Sequence, residues 1–218
     1  MLGIVFTGGE GPEPEIIKNN LIGIGNLFIV AADSGLALAE KVGYPPNIII
    51  GDMDSVETQL LDRYPKENII RYPTAKDYTD TELAMQKVIE KGCKKIWIIG
   101  GGGGRLDHLL GIRSLFERDI FPCRWITDKE DVYCLEKGEH HFSVEAGEII
   151  SVFPLGDGGW EAASERLRWP LDGIEWNRGF FGLCNVAVDD IFKITVQAGR
   201  FMVIMRVNSA KKSGGNKC

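Results

Sequence analysis

The 218-residue chain is long enough to bury a substantial core without help from disulfides or structural metal ions. Its 44% hydrophobic and 26% charged residues are typical of a globular protein and exclude an intrinsically disordered chain. The formal net charge of -6 argues against a nucleic-acid-binding protein, because such a surface needs clustered Lys and Arg, but it permits a small anionic ligand that brings a cation.

The sequence carries no sign of a membrane or secreted protein. Its longest apolar runs are strand-sized, whereas a membrane helix needs about 20 apolar residues. No basic region followed by a long apolar stretch opens the chain, so we expect a cytoplasmic protein with no membrane partner. The five cysteines form no C-x-x-C pair, which indicates neither a disulfide framework nor a zinc site.

Strand and helix patterns alternate through the first part of the chain. Short runs rich in β-branched residues predict strands over 3–6, 28–32, 47–50, 68–71 and 95–99, and helical periodicity predicts helices over 13–20, 35–42, 79–91 and 106–118. This alternation predicts an α/β domain over residues 1–134, with a doubly wound, mostly parallel sheet. Continuous apolar runs such as "IWII" fit strands that are buried on both faces.

The pattern changes near Leu135, after which short strands are separated by glycine and proline. We therefore predict a smaller, all-β, sandwich-like domain over residues 135–218, with a basic flexible tail from about residue 209. Within it, the segment Gln197, Ala198 and Gly199 is typical of a turn that closes a hairpin.

Aspartates follow two of the predicted strands. Asp33 comes after "LFIVAA", and Asp52 and Asp54 of "GDMDS" come after "NIII", at the strand ends where open parallel sheets bind ligands. Two carboxylates about 4 Å apart repel by roughly 4 kcal/mol at an effective dielectric of about 20, and a divalent cation such as Mg²⁺ would reverse this repulsion. The alternative is a polar loop in which Asp54 and Ser55 cap a short helix.

A second cluster, "KDYTDTE", lies where a predicted helix begins. Thr79 and Glu82 fit a capping box, which accounts for part of the motif. Capping does not require Lys76, Asp77 or Asp80. A helix N-terminus attracts phosphate oxygens, and an adjacent carboxylate can hold a bridging metal ion, so the cluster indicates a phosphate site.

The third motif, "GGGGGRLDH", joins a buried strand to a helix. Its glycines allow close approach of a nucleotide, yet the G-K-[ST] sequence of a P-loop is absent. The alternative is a flexible turn in which Asp107 caps the helix or is solvated.

In this order, "AADSG", "GDMDS", "KDYTDTE" and "GGRLDH", followed by "GLCN" in the β-rich part, resemble the thiamine pyrophosphokinase family, and the resemblance runs from about Leu2 to Val207. It implies transfer of a diphosphate group from ATP to the hydroxyl of thiamine, which yields thiamine diphosphate and AMP with Mg²⁺ as the cofactor. It also implies a homodimer in which thiamine lies between the catalytic domain of one subunit and the β domain of the other.

The resemblance also implies roles for individual residues. The implied metal ligands are Asp52, Asp54 and Asp80, and the implied catalytic residues are these three with Arg105 and Asp107. Nucleotide and phosphate contacts are implied for Asp33, Lys76, Asp77, Thr79, Gly103, Gly104 and Arg105. Cys184 and Asn185 match the thiamine-binding S-N motif, and Cys184 replaces its serine with a weaker hydrogen-bonding group.

Several alternatives stay open from the sequence. The proton acceptor could be Asp33, Asp77 or Asp107, and the aromatic ring that stacks on thiamine could be Trp160, Trp169 or Trp176. The alternative functions are a Mg²⁺-dependent nucleotide hydrolase, a diphosphokinase acting on another alcohol, or a non-catalytic regulator that binds nucleotide or thiamine.

Overall fold

The computed structural model describes residues 1–207, which divide into a first compact unit, Met1–Lys129, and a second unit from Glu130 onward. The strands of the first unit are β1 (Leu2–Thr7), β2 (Leu27–Ala32), β3 (Ile48–Gly51), β4 (Ile69–Arg71), β5 (Lys95–Gly100) and β6 (Arg124–Ile126). Its helices are α1 (Pro14–Leu21), α2 (Gly35–Val42), α3 (Thr58–Leu61), α4 (Asp80–Glu90) and α5 (Leu106–Leu115).

The strands of the first unit are parallel and lie in the order β6-β5-β1-β2-β3-β4. The chain therefore winds outward from the central β1 to β4, and α4 returns it to β5 on the other side of β1. This change of direction is the switch point of a doubly wound sheet. The predicted fold class is confirmed, although the short strand β6 was not predicted.

Burial explains why the strands read as continuous apolar runs. Ile4, Val5 and Phe6 of β1 are fully buried, as are Ile49 and Ile50 of β3. Successive side chains of a strand point to opposite faces, so a strand that buries consecutive residues is covered on both faces.

Local signals set where the helices begin and end. Pro14 occupies the first turn of α1, where its missing N–H costs no hydrogen bond. Thr79 and Glu82 form the predicted capping box at the start of α4. Gly43 ends α2 in the left-handed conformation, with φ of 82°.

The second unit is all-β. Its strands are β7 (Glu130–Leu135), β8 (Gly138–Ser143), β9 (Ile149–Leu155), β10 (Glu161–Glu165), β11 (Gly182–Val186), β12 (Ile191–Ala198) and β13 (Arg200–Arg206). One antiparallel sheet has the order β11-β9-β13-β7 and the other has the order β10-β12-β8. Tyr133, Val152 and Phe201 of the first sheet share one core with Phe142 and Phe192 of the second.

The second unit begins at Glu130, before the predicted boundary at Leu135. The reason is that β7 starts at Glu130 and pairs along its length with β13, which ties residues 130–134 to the C-terminal strands. The predicted tail from about residue 209, including Cys218, lies outside the described residues. Within residues 1–207, no helix is both long enough and apolar enough to span a membrane.

The prediction of a hairpin around residues 197–199 is wrong. Strands β12 and β13 are consecutive in sequence, but they belong to different sheets, so this turn carries the chain from one sheet to the other. Gly199 has φ of 74°, and a Cβ built on it would lie 2.6 Å from Trp160 Cδ1. The turn therefore requires glycine, but packing in the shared core decides which sheet each of the flanking strands joins.

Two glycines in the first unit provide a test of close packing. A Cβ on Gly35 would lie 2.3 Å from the backbone oxygen of Phe6, whereas a Cβ on Gly111, inside α5, meets nothing within 4 Å. We expect Gly35→Ala to lower the free energy of unfolding by about 3 kcal/mol, because backbone atoms of β1 must move. Gly111→Ala, the matched control, should raise it by about 1 kcal/mol through helix propensity. Urea denaturation measures both changes, and equal effects would contradict the tight contact.

Candidate functional site

The candidate site lies at the carboxyl edge of the parallel sheet in the first unit. Because the strands are parallel, the residues that follow them meet at one edge. Across this edge the strand order places Asp128 after β6, the glycine segment of residues 100–104 after β5, Glu10 beyond β1, Asp33 after β2, and Asp52 with Asp54 after β3. The edge therefore carries a row of carboxylates interrupted by glycines.

Three of these carboxylates converge. One oxygen each from Asp33, Asp52 and Asp54 lies within 4.8 Å of the others. Asp33 has φ of 47°, and a Cβ on Gly51 would lie only 3.0 Å from Asp33 Cβ, so the glycine lets Asp33 approach β3. Between the other two aspartates, Met53 has φ of 65° and a buried side chain, which anchors the turn.

The electrostatics of the cluster are uneven. Burial raises the pKa of Asp33, and repulsion from Asp80, Asp52 and Asp54 raises it further against a lowering backbone hydrogen bond. The pKa of Asp52 is lowered, mainly by the backbone N–H of Asp54, which donates to Asp52 Oδ1 at 3.2 Å. The hydroxyl of Thr74 contributes to the same lowering.

The cluster fits a hard divalent cation. Asp33 Oδ1 and Asp80 Oδ1 are buried, and neither accepts a hydrogen bond from a described residue. Buried carboxylate oxygens are normally hydrogen-bonded or bound to a cation, and Mg²⁺ prefers carboxylate oxygens. Asp54 and Ser55 do not cap α3, because their side chains bond each other at 2.8 Å and α3 begins after Glu57.

Asp80, predicted as a metal ligand, begins α4 beside the cluster. Lys76 Nζ lies 3.2 Å from Asp80 Oδ1 in an ion pair whose geometry is not that of a hydrogen bond, and it donates to the Pro73 oxygen at 3.3 Å. The three carboxylates whose oxygens converge most closely are thus those of Asp33, Asp52 and Asp54. The resemblance had implied Asp80, and not Asp33, as the third metal ligand. Asp77 is exposed.

Thr79 has a structural role at the start of α4. Its hydroxyl accepts the N–H of Glu82 at 3.2 Å, and its own N–H donates to Glu82 Oε2 at 2.8 Å. Burial alone would raise the pKa of Glu82, but hydrogen bonds from Thr79 and Arg118 lower it. The capping box therefore accounts for the Thr79 side chain.

Hydrogen bonds with Trp125 and Glu10 hold the glycine segment in place, and two carboxylates lie beside it. Trp125 Nε1 donates to the oxygen of Gly100 at 2.8 Å, and Gly102 exchanges two backbone hydrogen bonds with Glu10, at 2.7 and 2.8 Å. A Cβ on Gly102 would lie 2.2 Å from Asp128 Oδ1, and one on Gly103 would lie 2.3 Å from Glu10 Cδ. Two carboxylates therefore flank the segment.

Arg105 and Asp107, which follow the glycines, bind each other. Arg105 donates from Nη2 to Asp107 Oδ2 at 2.5 Å and from Nε to Oδ1 at 3.1 Å, and both side chains are exposed. Arg105 lowers the pKa of Asp107. Asp107 does not cap α5, because it lies inside the helix, which follows Arg105.

Sequence reasoning missed Glu10 and Asp128. Asp128 follows β6, and its Oδ1 is buried without a hydrogen-bond partner among the described residues. The signal for Asp128 was the segment "RWITD", in which a short apolar run is followed by an aspartate, as in "IVAAD". The strand is too short for its periodicity to be recognised.

In the second unit, Cys184 and Asn185 lie on the edge strand β11. Cys184 is exposed at a bulge with φ of 57°, and its N–H donates to Ser151 Oγ at 3.3 Å. The buried Asn185 side chain accepts the N–H groups of Trp169 and Val186 and donates to the Trp169 oxygen at 2.6 Å. The Asn185 amide therefore fixes the segment that presents the exposed ring of Trp169.

The other two tryptophans that the sequence left as candidates are less accessible. Trp160 Nε1 donates to the Leu155 oxygen at 2.7 Å, and Trp176 packs its ring against Phe180 and Phe201. Of the three rings, Trp169 is the most exposed, at 55%.

Comparisons with known proteins agree with these motifs. Residues 25–120 match the family model described as the catalytic domain of thiamin pyrophosphokinase. A thiamine pyrophosphokinase from Bacillus subtilis is 28% identical over 156 residues, covering 69% of this chain and 73% of the relative. Thiamine pyrophosphokinase 1 of rice, Oryza sativa subsp. japonica, is 25% identical over 170 residues, covering 71% of this chain and 64% of the relative.

Solved structures agree in fold. A thiamin pyrophosphokinase family protein from Enterococcus faecalis superposes with a TM-score of 0.74 at 22% identity, covering 95% of this chain and 99% of that one. The thiamine pyrophosphokinase structure from Bacillus subtilis gives a TM-score of 0.72 at the same identity and coverage. Together with the family model and the order of the motifs, these relatives confirm the predicted resemblance to the thiamine pyrophosphokinase family.

Proposed function

We propose that this chain transfers a diphosphate group from ATP to the hydroxyl of thiamine and releases thiamine diphosphate and AMP. The observation that carries the proposal is the convergence of Asp33, Asp52 and Asp54 at the carboxyl edge of a doubly wound sheet. Relatives with this family assignment are named thiamine pyrophosphokinases. In this class of reaction, catalysis consists mainly of positioning and of stabilising developing negative charge.

We propose that Asp52, Asp54 and Asp33 hold Mg²⁺, with Asp80 beside them. When bound, the ion would supply positive charge that offsets the negative charge of the ATP phosphates. The chain's own contribution is to bring these carboxylates together before the ligand arrives, through the left-handed backbone at Asp33 and the missing side chain at Gly51.

The charges along the edge favour one orientation of ATP. Lys76 and the N-terminus of α4 favour phosphate on the β2 and β3 side. Beside Gly102 and Gly103, Glu10 and Asp128 disfavour an anion but can accept hydrogen bonds from hydroxyl or amino groups. We therefore place the nucleoside at the glycine segment, including Gly103 and Gly104, three strand spacings or roughly 14 Å from β3.

Arg105 is the cation that follows this segment, and we propose that it offsets the charge that develops on the AMP leaving group. Its ion pair with Asp107 orients the guanidinium group without burying it. Because Arg105 lowers the pKa of Asp107, this carboxylate is a weak proton acceptor. Asp33 and Asp77 remain the candidates that accept the proton of the thiamine hydroxyl.

We propose that thiamine is bound by the β unit within a homodimer. The edge strand β11 exposes Leu183, and the segment before it exposes Phe180 and Phe181. An exposed apolar edge strand is normally covered by another chain or a ligand. Asn185 contributes by fixing Trp169, whose exposed ring suits stacking on a flat heterocycle.

We also propose a cytoplasmic location. The thiols of Cys93 and Cys184 are free, as expected for a protein of a reducing compartment.

The products of the reaction test the proposed activity. Incubation with ATP, thiamine and Mg²⁺ should release AMP in a one-to-one ratio with thiamine diphosphate, and omission of Mg²⁺ should abolish both. Chromatography of the products measures this ratio. Release of ADP, or of AMP without a thiamine ester, would contradict the proposal and favour a kinase or a nucleotide hydrolase.

Asp52→Asn tests the carboxylate cluster. Replacing this carboxylate by a neutral amide should lower kcat at saturating Mg²⁺ by about two to four orders of magnitude. The reason is that the cation which offsets the phosphate charge loses one of its ligands. Asp62→Asn, at an exposed position after α3, is the matched control and should retain normal turnover. Circular dichroism should show both variants folded, and near-normal turnover of Asp52→Asn would rule out its assignment.

Asp33→Asn tests the burial of Asp33 among the other carboxylates without relying on activity. The pKa of Asp33 is raised above 3.8, so the folded protein holds this proton more tightly than the unfolded chain. Stability is therefore lost as pH rises through the raised pKa, and the penalty persists at pH 7. We expect Asp33→Asn to raise the denaturation midpoint of the metal-free protein at pH 7 but not at pH 3. Asparagine also suits the left-handed backbone. An unchanged midpoint at pH 7 would contradict the crowding.

A further inference from the structure

Two threonine hydroxyls join the central strand to the helix that carries Asp80. Thr7 is the last residue of β1 and is 6% exposed, and Thr81 is the second residue of α4. Their Oγ1 atoms lie 2.6 Å apart, across 74 residues of sequence, so one hydroxyl donates to the other. The contact is therefore a part-buried link between two distant parts of the chain.

This link lies between the two halves of the proposed nucleotide site. Thr81 directly follows Asp80, and β1 pairs along its length with β2, which leads to Asp33. The methyl group of Thr7 is 3.3 Å from a Cβ position built on Gly101, so the same side chain borders the glycine segment. A movement of the first turn of α4 away from β1 would carry Asp80 away from the cluster.

Like charges favour that movement. Asp80 is near enough to Asp33 for the two carboxylates to repel, and Asp52 and Asp54 add to the negative charge. Lys76 offsets part of this charge. We propose that the Thr7–Thr81 hydroxyl pair is a positioning contact, which holds Asp80 beside the metal site against this repulsion and so sets the affinity for the divalent cation.

Other contacts already perform the purely structural tasks. Thr79, not Thr81, caps α4. Leu83, Ala84, Met85 and Val88 bury the apolar face of α4, and the helix packs against β1, β2 and β3. The hydroxyl pair is therefore not needed to dock the helix. Its specific effect falls on the first turn, where the carboxylate lies.

The inference rests on the proposed function, because the cation belongs to the proposed ATP site. The test uses Mn²⁺, which prefers similar oxygen ligands and can be followed directly by electron paramagnetic resonance. Binding is measured in the presence of a non-hydrolysable ATP analogue, alongside urea denaturation of the metal-free protein. Neither readout requires turnover.

Thr81→Val and Thr7→Val keep the side-chain shape and remove one hydroxyl each. We expect each to weaken Mn²⁺ binding by about tenfold, which corresponds to the loss of one hydrogen bond. The double variant should bind Mn²⁺ no more weakly than the weaker single variant, because the contact is already broken when either hydroxyl is lost. Thr81→Ser, which restores the hydroxyl, should bind within about twofold of the unaltered protein.

Thr58→Val provides the matched control, since Thr58 is the exposed first residue of α3 and should leave Mn²⁺ affinity unchanged. If Thr81→Val and Thr7→Val lowered the denaturation midpoint but bound Mn²⁺ normally, the hydroxyl pair would be merely structural and the inference would be overturned. Failure of the proposed function would instead appear in the products released by the unaltered protein, so the two failures are distinguishable.

Discussion

Repulsion between carboxylates is the constraint on which the rest of the site depends. Oxygens of Asp33, Asp52 and Asp54 lie within 4.8 Å of one another, and carboxylates at such distances repel each other. The parallel sheet can carry this cost because its strands are buried and hydrogen-bonded on both sides of the site. Relief of the same repulsion would favour the proposed divalent cation.

The chain meets this constraint with unusual backbone rather than with many side-chain contacts. Asp33 and Met53 adopt left-handed conformations that non-glycine residues rarely populate, and Gly51 permits the close approach of Asp33 to β3. Strain of this kind concentrates at functional sites because the surrounding fold imposes it. Cys184 shows the same feature in the second unit, at a bulge in β11.

Much of this arrangement could be predicted from the sequence, because continuous apolar runs identify buried parallel strands and aspartates directly after them must share an edge. The pattern could not reveal which oxygens converge, since Asp33 reaches the cluster through a left-handed residue. It also could not show that the Asn185 side chain is hydrogen-bonded to the backbone of Trp169, or that Arg105 forms an ion pair with Asp107. The pairing of Asn185 with Trp169 depends on a tertiary contact, as does the turn after β12, which local chemistry made resemble a hairpin.

The orientation proposed for the nucleotide rests on charge rather than on the glycine motif. Glycines alone would favour phosphate at residues 100–104, because exposed backbone N–H groups attract anions. Here the N–H of Gly102 is occupied by the oxygen of Glu10, and the carboxylates of Glu10 and Asp128 flank the segment. Phosphate is therefore disfavoured at these glycines and favoured near Lys76 and α4. In the proposed orientation, the glycines allow close backbone approach, and the carboxylates favour the uncharged end of the nucleotide.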